Sequence, residues 1–226
     1  MQTVMDTSSY SQRVAKACEV LGLRATSQQI AQLLQYVEQL QRWNRSYNLT
    51  AIRDPEQMLT QHILDCLAVV SPVQRTIDAS VTREPKVLDV GSGAGLPGVV
   101  LAIMLPAAQV TCVDAVEKKM TFVRQMRGML ALTNLSATHA RIETLTEQYD
   151  VVISRAFASL SDFAKSSGGR VLPTGSLVAM KARPTEEEFA ELASQTDWSI
   201  AKVEPLHVPE LQAQRCLVWL HRTENS

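Results

Sequence analysis

The stretch that decides the fold is Val87-Leu88-Asp89-Val90-Gly91-Ser92-Gly93-Ala94-Gly95-Leu96-Pro97-Gly98. It starts as a short apolar run, typical of a buried parallel strand, and continues through a glycine-rich turn into an apolar segment over 97–105 that we predict to be helical. In open α/β sheets the first strand-to-helix turn lies at the carboxyl ends of the strands, where ligands bind. Glycines let a ligand approach the main chain without a Cβ clash. The stretch therefore predicts a ligand-binding α/β domain.

The sequence that follows alternates short apolar runs with helical segments. Helices are predicted over 116–132 and near 185–194. Compact apolar strands separated by helices indicate a mainly parallel sheet covered on both faces, so we predict a doubly wound α/β fold. The predicted strands are 87–90, 109–114, 135–140, 150–153, 176–180 and 215–220.

The sequence before residue 80 carries helix signals instead. We therefore divide the chain into an N-terminal helical extension, 1–80, packed on the ligand-binding α/β domain, 81–226. The signals are a cap at Ser8 or Ser9 and a stop at Gly22 for the first helix, a capping box from Thr26 to Gln29 for the second, and Asp54-Pro55 as the start and Ser71-Pro72 as the end of the third.

Composition narrows the class of protein. The chain has 226 residues, 46% hydrophobic and 20% charged, which is enough to bury a core, and its net charge of -1 excludes a uniformly basic nucleic-acid binder. Any polyanion must be met by a local basic patch.

No signal segment or membrane-length apolar run is visible, so we expect a cytoplasmic protein. The single, scattered cysteines predict reduced, mostly buried thiols rather than a zinc site; they are Cys18, Cys66, Cys112 and Cys216.

The glycine turn also indicates which cofactor binds. Its match to Gly-x-Gly-x-x-Gly is a weak signal for a dinucleotide, but three details favour S-adenosylmethionine over NAD or FAD. Asp89 lies inside the strand, where a cationic methionine moiety or backbone amides can pair with its carboxylate. Gly91 lengthens the turn and moves the helix start away from a diphosphate. Asp114 ends the next predicted strand, 23 residues after Gly91, where it can accept both ribose hydroxyls.

The segment after the fourth predicted strand limits which chemical groups could accept the methyl group. No cysteine follows a proline or directly follows this strand, as C5 methylation of a pyrimidine requires. The stretch 153–160 also lacks the Asp/Asn-Pro-Pro-aromatic segment typical of adenine amino-group methylation. Methyl transfer is an in-line displacement in which the protein mostly positions the reactants. An acceptor such as guanine N7, which has a free lone pair and needs no general base, is compatible with such a site.

Several separated blocks of the sequence form a more specific pattern. They are Trp43-Asn44-x-x-Tyr47-Asn48-Leu49-Thr50, Arg53-Asp54-Pro55, His62-Ile63-Leu64-Asp65, the run from Asp89 to Gly98, Ile153-Ser154-Arg155-Ala156-Phe157-Ala158, and Lys181. Together, over about residues 26–220, they resemble the RsmG (GidB) family of bacterial methyltransferases, which modify N7 of a guanine in 16S ribosomal RNA.

The resemblance implies a class I, Rossmann-like fold with a seven-stranded sheet and S-adenosylmethionine as cofactor. It places Asp114 at the ribose, Ile142 with Glu143 at the adenine edge, and Arg155 in the methyl-transfer pocket as the candidate catalytic residue. Ala182 departs from the family, which usually has glycine after the lysine. The candidate cofactor-binding residues are Asp89, Gly91, Gly93, Gly95, Leu96, Asp114, Ile142, Glu143 and Arg155, and the candidate RNA-binding residues are Asn48, Arg53, His62 and Lys181.

The expected partner is 16S ribosomal RNA within the 30S subunit or an assembly intermediate, and we expect a monomer without a metal site. The alternatives are a methyltransferase acting on another RNA, a protein or a small molecule, an NAD-binding oxidoreductase, and a non-catalytic module that retained the fold. Individual residues also have alternative roles. Arg155 could pair with Asp150 or cap a helix, His62 could be a core histidine, and Trp43 could pack rather than stack on a base.

Overall fold

The computed structural model describes residues 7–80, 83–155 and 157–223. The helices are α1 (Thr7–Val20), α2 (Ser27–Tyr47), α3 (Pro55–Met58), α4 (Asp65–Leu67), α5 (Val70–Asp78), α6 (Gly98–Met104), α7 (Glu117–Met129), α8 (Leu160–Ser167) and α9 (Glu186–Gln195). A π-helical segment, Leu59–Leu64, joins α3 to α4, and 3-10 turns lie at Ile142–Thr144 and Gly168–Arg170. The strands are β1 (Lys86–Val90), β2 (Gln109–Asp114), β3 (Leu135–His139), β4 (Tyr149–Ser154), β5 (Val171–Lys181), β6 (Trp198–Leu206) and β7 (Arg215–Arg222).

The strands form one seven-stranded sheet with the order β3-β2-β1-β4-β5-β7-β6. Strands β1 to β5 pair in parallel, whereas β7 pairs antiparallel with β5 and β6. The strand order reverses between β1 and β4, which is the kind of switch point at which open α/β sheets bind ligands. The predicted doubly wound, mainly parallel sheet is confirmed.

The sequence did not reveal β6 or α8. Strand β6 lies at the edge of the sheet, most of its side chains are half-buried or exposed, and it contains Pro205, so its apolar pattern is weak. Helix α8 is short and begins after Ser159, whose hydroxyl accepts a hydrogen bond from the Asp162 N–H at 3.1 Å. Such a cap is a helix start signal, but a helix of 8 residues shows too little apolar periodicity to be predicted from it.

The start signals of the N-terminal helices are confirmed at two places. The hydroxyl of Thr26 accepts from the Gln29 N–H at 3.2 Å, and the Gln29 side chain accepts from the Thr26 N–H at 2.9 Å, which completes the capping box of α2. The carboxylate of Asp54 accepts from the Gln57 N–H at 3.4 Å and caps α3, with Pro55 as its first residue. The predicted caps of α2 and α3 are therefore confirmed. The predicted cap of α1 is wrong, because α1 already includes Thr7 and both Ser8 and Ser9 lie within the helix.

The predicted end of the third helix at Ser71-Pro72 is wrong. The helical rod is interrupted earlier, by a turn at Ala68 and Val69, and α5 then begins at Val70. Pro72 lies in the first turn of α5, where a missing N–H has no consequence because the first four N–H groups of a helix have no acceptor within it. The proline thus belongs to the start of a helix rather than to the end of one.

Apolar clusters cover both faces of the sheet. Val87 belongs to one cluster and its neighbours Leu88 and Val90 to the other, as alternation along a strand requires. The first cluster also takes side chains from α1 and α2, Val14 and Tyr36 among them, so the helical extension shares its core with the sheet. The boundary at residue 80 stays a prediction. Among the described helices, none combines the length and apolarity that crossing a membrane needs.

Candidate active site

The glycine turn lies at the carboxyl end of β1 and takes a backbone path that favours glycine. Gly91 has φ +63°, in the left-handed region, and no atom lies within 4 Å of the position that a Cβ would take, so the main chain is open to a ligand there. Gly95 is different, because a Cβ would lie 2.7 Å from Val99 Cγ2 and 2.9 Å from Val123 Cγ2. We conclude that Gly95 allows the turn to pack on α6 and α7 rather than presenting a surface to the cofactor.

Asp89 is a fully buried carboxylate behind this turn. Its Oδ2 accepts a hydrogen bond from the Gly98 N–H at 2.7 Å, whereas no hydrogen-bond partner for its Oδ1 exists among the described residues. Burial raises the pKa of Asp89 to about 7, against the opposing effects of the Gly98 N–H and the positive charge of Arg155. A buried carboxylate with an unused acceptor fits a site that receives the cationic methionine end of S-adenosylmethionine.

Asp114 ends β2 beside the same turn. One carboxylate oxygen accepts from the Gly93 N–H at 3.0 Å and the other from the Val116 N–H at 2.9 Å. Lys119 Nζ lies 3.3 Å from Oδ2. These contacts fix the orientation of the carboxylate. Oδ2 accepts from both Gly93 and Lys119, whereas Oδ1 accepts only from Val116 and keeps a second lone pair for a ribose hydroxyl.

A cavity of about 240 Å³ opens between the ends of β1 and β2 and the turn Ile142–Thr144. It brings together the predicted cofactor residues Gly91, Asp114, Ile142 and Glu143. The other predicted cofactor residues do not line it: these are Asp89, Gly93, Gly95, Leu96 and Arg155. Asp89 is fully buried, and the side chain of Leu96 is buried in the core. The lining residues are Val90, Gly91, Val113, Asp114, Ala115, Ala140, Arg141, Ile142, Glu143 and Phe157.

Sequence reasoning missed Arg141 and Phe157 as lining residues of this cavity. Arg141 is exposed and immediately precedes the Ile142-Glu143 pair, so its proximity to that pair was the available signal. Phe157 lies in the block that follows the fourth strand, where no local signal marks it as a lining residue. Its ring lies 4.9 Å from that of Phe163 on α8, between centroids, which holds it at the cavity wall.

Arg155 follows β4 and connects the sheet to the helical extension. Its Nη1 donates to the Gln61 carbonyl at 3.1 Å and lies 3.7 Å from Asp65 Oδ2. Asp65 Oδ1 accepts from Arg215 Nε at 2.9 Å, so one buried carboxylate is shared by two guanidinium groups. Burial raises the pKa of Asp65, and Arg155 and then Arg215 act in the opposite direction. The recorded ion pair of Arg155 is with Asp65, not with Asp150.

His62 lies in the π-helical segment against Arg155. Its side chain is 6% exposed, with Nε2 3.0 Å from Thr50 Oγ1 and Nδ1 3.3 Å from Arg155 Nη1. Nδ1 also lies 3.2 Å from the Gln61 carbonyl oxygen, so this nitrogen faces both an acceptor and the guanidinium donor of Arg155. Burial, and then the charge of Arg155, lower the pKa of His62 to about 4. A neutral, buried imidazole here positions Arg155, and it is not placed to meet RNA from solvent. π-Helical turns often occur at functional sites.

The other candidate RNA-binding residues have different surroundings. Asn48 ends α2 with φ 48°, and its exposed amide oxygen accepts from the exposed Arg53 Nη2 at 2.8 Å. Lys181 ends β5, at the carboxyl edge of the sheet, where its Nζ donates to the Ala158 carbonyl at 3.1 Å and pairs with Glu188. The charge of Lys181 is therefore balanced within the protein, whereas that of Arg53 faces solvent.

Known proteins with similar sequences and structures agree with this geometry. The family model "rRNA small subunit methyltransferase G" (GidB) matches residues 29–218. A ribosomal RNA small subunit methyltransferase G from Bordetella petrii is 56% identical, covering 95% of this chain and 84% of that protein. The Bordetella avium protein of the same name is 54% identical over the whole of both chains.

Solved structures show the same architecture at low sequence identity. Magnesium protoporphyrin IX methyltransferase from Synechocystis, solved with S-adenosylmethionine bound, has a TM-score of 0.55 and 16% identity and covers 98% of this chain and all of its own. The ribosomal protein L11 methylase from Lactobacillus delbrueckii has a TM-score of 0.52 and 12% identity and covers 76% of this chain and 80% of its own. The class I methyltransferase fold is thereby confirmed. From the extent of the family match and the identity to these relatives, the chain belongs to the rRNA small subunit methyltransferase G (GidB) family.

Proposed function

We propose that this chain, an S-adenosylmethionine-dependent methyltransferase of small-subunit ribosomal RNA by its family, methylates N7 of a single guanine in 16S RNA. The observation that carries the proposal is the chemistry of the site. Arg155, held by Gln61 and Asp65, can orient a base, but the described residues there provide no activated nucleophile. An acceptor that is already nucleophilic fits such a site.

The cysteines support guanine N7 as the methyl acceptor because burial disfavours the thiolate form of each of them. All four are free and buried, as the sequence predicted. Burial raises the pKa of the Cys18 thiol to about 11 and also raises the pKa values of Cys66, Cys112 and Cys216. A protonated, buried thiol cannot attack C6 of a pyrimidine, so C5 methylation has no support here.

The cofactor residues would act as a rigid cradle. S-adenosylmethionine, when bound, supplies an electrophilic methyl group on a sulfonium. We assign the ribose to Asp114, the adenine to the cavity at Ile142 and Glu143, and the cationic methionine end to Asp89. The main chain at Gly91 allows close approach. Holding both reactants in line is the main contribution that the protein makes to such a displacement.

Arg155 would orient the guanine. A guanidinium that donates to guanine O6 leaves the N7 lone pair free for the methyl group. The purine becomes cationic as the N7–carbon bond forms, so an uncompensated arginine would oppose the reaction. The carboxylate of Asp65, shared with Arg215, offsets part of the charge of Arg155, and His62 stays neutral beside it. The site therefore provides hydrogen-bond donors whose positive charge is partly offset.

The substrate would approach over the exposed pair Asn48 and Arg53, and Lys181 would add a contact at the carboxyl end of β5. The near-neutral net charge favours a folded RNA surface, in the 30S subunit or an assembly intermediate, over any single-stranded polyanion. We further propose that the enzyme acts in the cytoplasm, because its substrate is assembled there. We also propose that it acts as a monomer.

The test is methyl transfer from radiolabelled S-adenosylmethionine to 30S subunits, protein-free 16S RNA and tRNA. The RNA comes from cells that lack this gene, and RNA from wild-type cells is the control, since its site is already modified. The label is mapped by the strand cleavage that N7-methylguanine permits. We expect label at one guanine of 16S RNA, with 30S subunits the better substrate. Label on tRNA, or on no RNA at all, would contradict the proposed substrate.

A further inference from the structure

We infer that Tyr47 is a stacking platform for an unpaired nucleobase of the RNA substrate; this deepens the proposed function and rests on it. Tyr47 is the last residue of α2, and its side chain is 47% exposed. Exposed aromatic rings are few among the described residues, where the other large hydrophobic side chains in solvent are Val20, Val116, Met129 and Val203. Packing in the core does not explain why an aromatic ring is half exposed to solvent, and this exposure favours a binding role.

The Tyr47 ring is held in place by other rings. Its centroid lies 5.0 Å from that of Trp43, at an interplanar angle of 36°, and Trp43 packs edge-on against Phe122 at 5.5 Å. Phe122 in turn meets the buried Tyr36 at 5.8 Å. These rings form a column, Tyr47-Trp43-Phe122-Tyr36, in which the inner three support the outer one. A pre-positioned ring loses little conformational freedom when a base stacks on it.

The column ends at the cofactor site. The hydroxyl of Tyr36 donates to the Ala94 carbonyl, in the glycine turn, at 2.8 Å. Helices α2 and α7 are antiparallel, because Gln32 donates to the Leu130 carbonyl beyond the end of α7 whereas Trp43 packs on Phe122 nearer its start. Since α7 starts just after Asp114, Tyr47 lies toward the edge of the sheet that holds the cavity.

An exposed, unpaired arginine lies close to Tyr47. Arg53 donates to Asn48, the residue after Tyr47, and within the described ranges it forms no ion pair with a carboxylate. Arg42 and Arg45 are also exposed, but they precede Tyr47 by five and two positions and lie on other faces of α2. An aromatic ring with an unpaired arginine near it favours a base with its phosphates over an apolar protein segment. Trp43, by contrast, is a packing residue.

The test compares Tyr47→Ala and Tyr47→Phe in steady-state methylation of 30S subunits. Val20→Ala is the control, because it removes another exposed apolar side chain, 51% exposed, at the end of α1. We expect Tyr47→Ala to raise the KM for RNA by roughly 5- to 150-fold, which corresponds to about 1–3 kcal/mol for one stacked base. Tyr47→Phe keeps the ring and should stay near the wild-type KM, and kcat should change less than KM.

Two measurements separate stacking from a structural role. Affinity for S-adenosylmethionine and the urea midpoint should be the same in Tyr47→Ala as in Val20→Ala. An unchanged KM for RNA overturns the inference, as does a loss of cofactor affinity equal to the rise in KM, which would make the column a support of the glycine turn. A KM raised equally by Tyr47→Phe also overturns it, because the hydroxyl would then be the contact. A wild-type enzyme that labels no RNA refutes the proposed function itself, and the inference with it.

Discussion

Replacing Asp89 with asparagine isolates the charge of a carboxyl group that is fully buried. The pKa of Asp89 is raised from 3.8 to about 7 in the folded chain, because burial disfavours the charged form. An acid whose folded pKa lies above its unfolded pKa makes the folded state less stable as the pH rises from the lower value to the higher one. Each pH unit in this window is worth about 1.36 kcal/mol, so the penalty approaches roughly 4 kcal/mol above pH 7.

An asparagine at this position is neutral at every pH and adds only a constant offset, such as the cost of its buried amide. The free energy of unfolding of Asp89→Asn minus that of the wild type should therefore increase by roughly 3 kcal/mol between about pH 5 and about pH 8. Urea denaturation at the two pH values measures it, with Asp197→Asn, an exposed carboxyl, as the control for the loss of one charge. A difference that is the same at both pH values would refute the reasoning. Affinity for S-adenosylmethionine should fall in Asp89→Asn, since its cationic end loses a counter-charge.

Three further predictions follow from the packing and charges of the site. In Gly98→Ala the new Cβ would lie 2.4 Å from Cys112 Sγ, so we expect about 1–3 kcal/mol of destabilisation in urea; Gly98→Ala combined with Cys112→Ala should recover part of it, and no recovery would contradict the steric cause. Arg155→Ala should lose turnover while its affinity for S-adenosylmethionine, measured by calorimetry, stays within a few fold; equal losses would place Arg155 in the cofactor site instead. Asp65→Asn leaves two guanidinium groups without their carboxylate and should lower the free energy of unfolding by roughly 3 kcal/mol, with unchanged denaturation curves as the contrary result.

The sequence predicted local features well where one short segment determined them. The capping box at Thr26 needs only its own four residues, and the glycine turn follows from the backbone angles that it requires. The prediction that the third helix ends at Ser71-Pro72 was wrong because this pair is compatible with either end of a helix. Only the packing of Val70 and Val73 in the core decides between the two. Strand β6 was missed because an edge strand buries too little to show a pattern.

The partners of the site residues could not be predicted, since they come from distant parts of the chain. Arg155 meets Gln61 and Asp65 about ninety residues earlier, and Asp65 meets Arg215. Nothing in the local sequence of Arg155 distinguishes Asp65 from Asp150 as its counter-ion. The family resemblance pointed to Arg155 and to the block that contains His62 and Asp65. The sharing of Asp65 by two guanidinium groups, and the burial of His62, required the fold.

The core that α1 and α2 share with the sheet has a consequence for how this enzyme can evolve. A recognition domain on a flexible linker can be lost, duplicated or exchanged without harming the catalytic domain beside it. Here Val14 and Tyr36 pack in the same apolar cluster as Val87 of the central strand. Removing the extension would expose part of this shared apolar core to water, and we expect the catalytic half to aggregate rather than accept a new substrate. Substrate specificity in this architecture can therefore change by single substitutions on the surface, but not by exchange of a whole recognition domain.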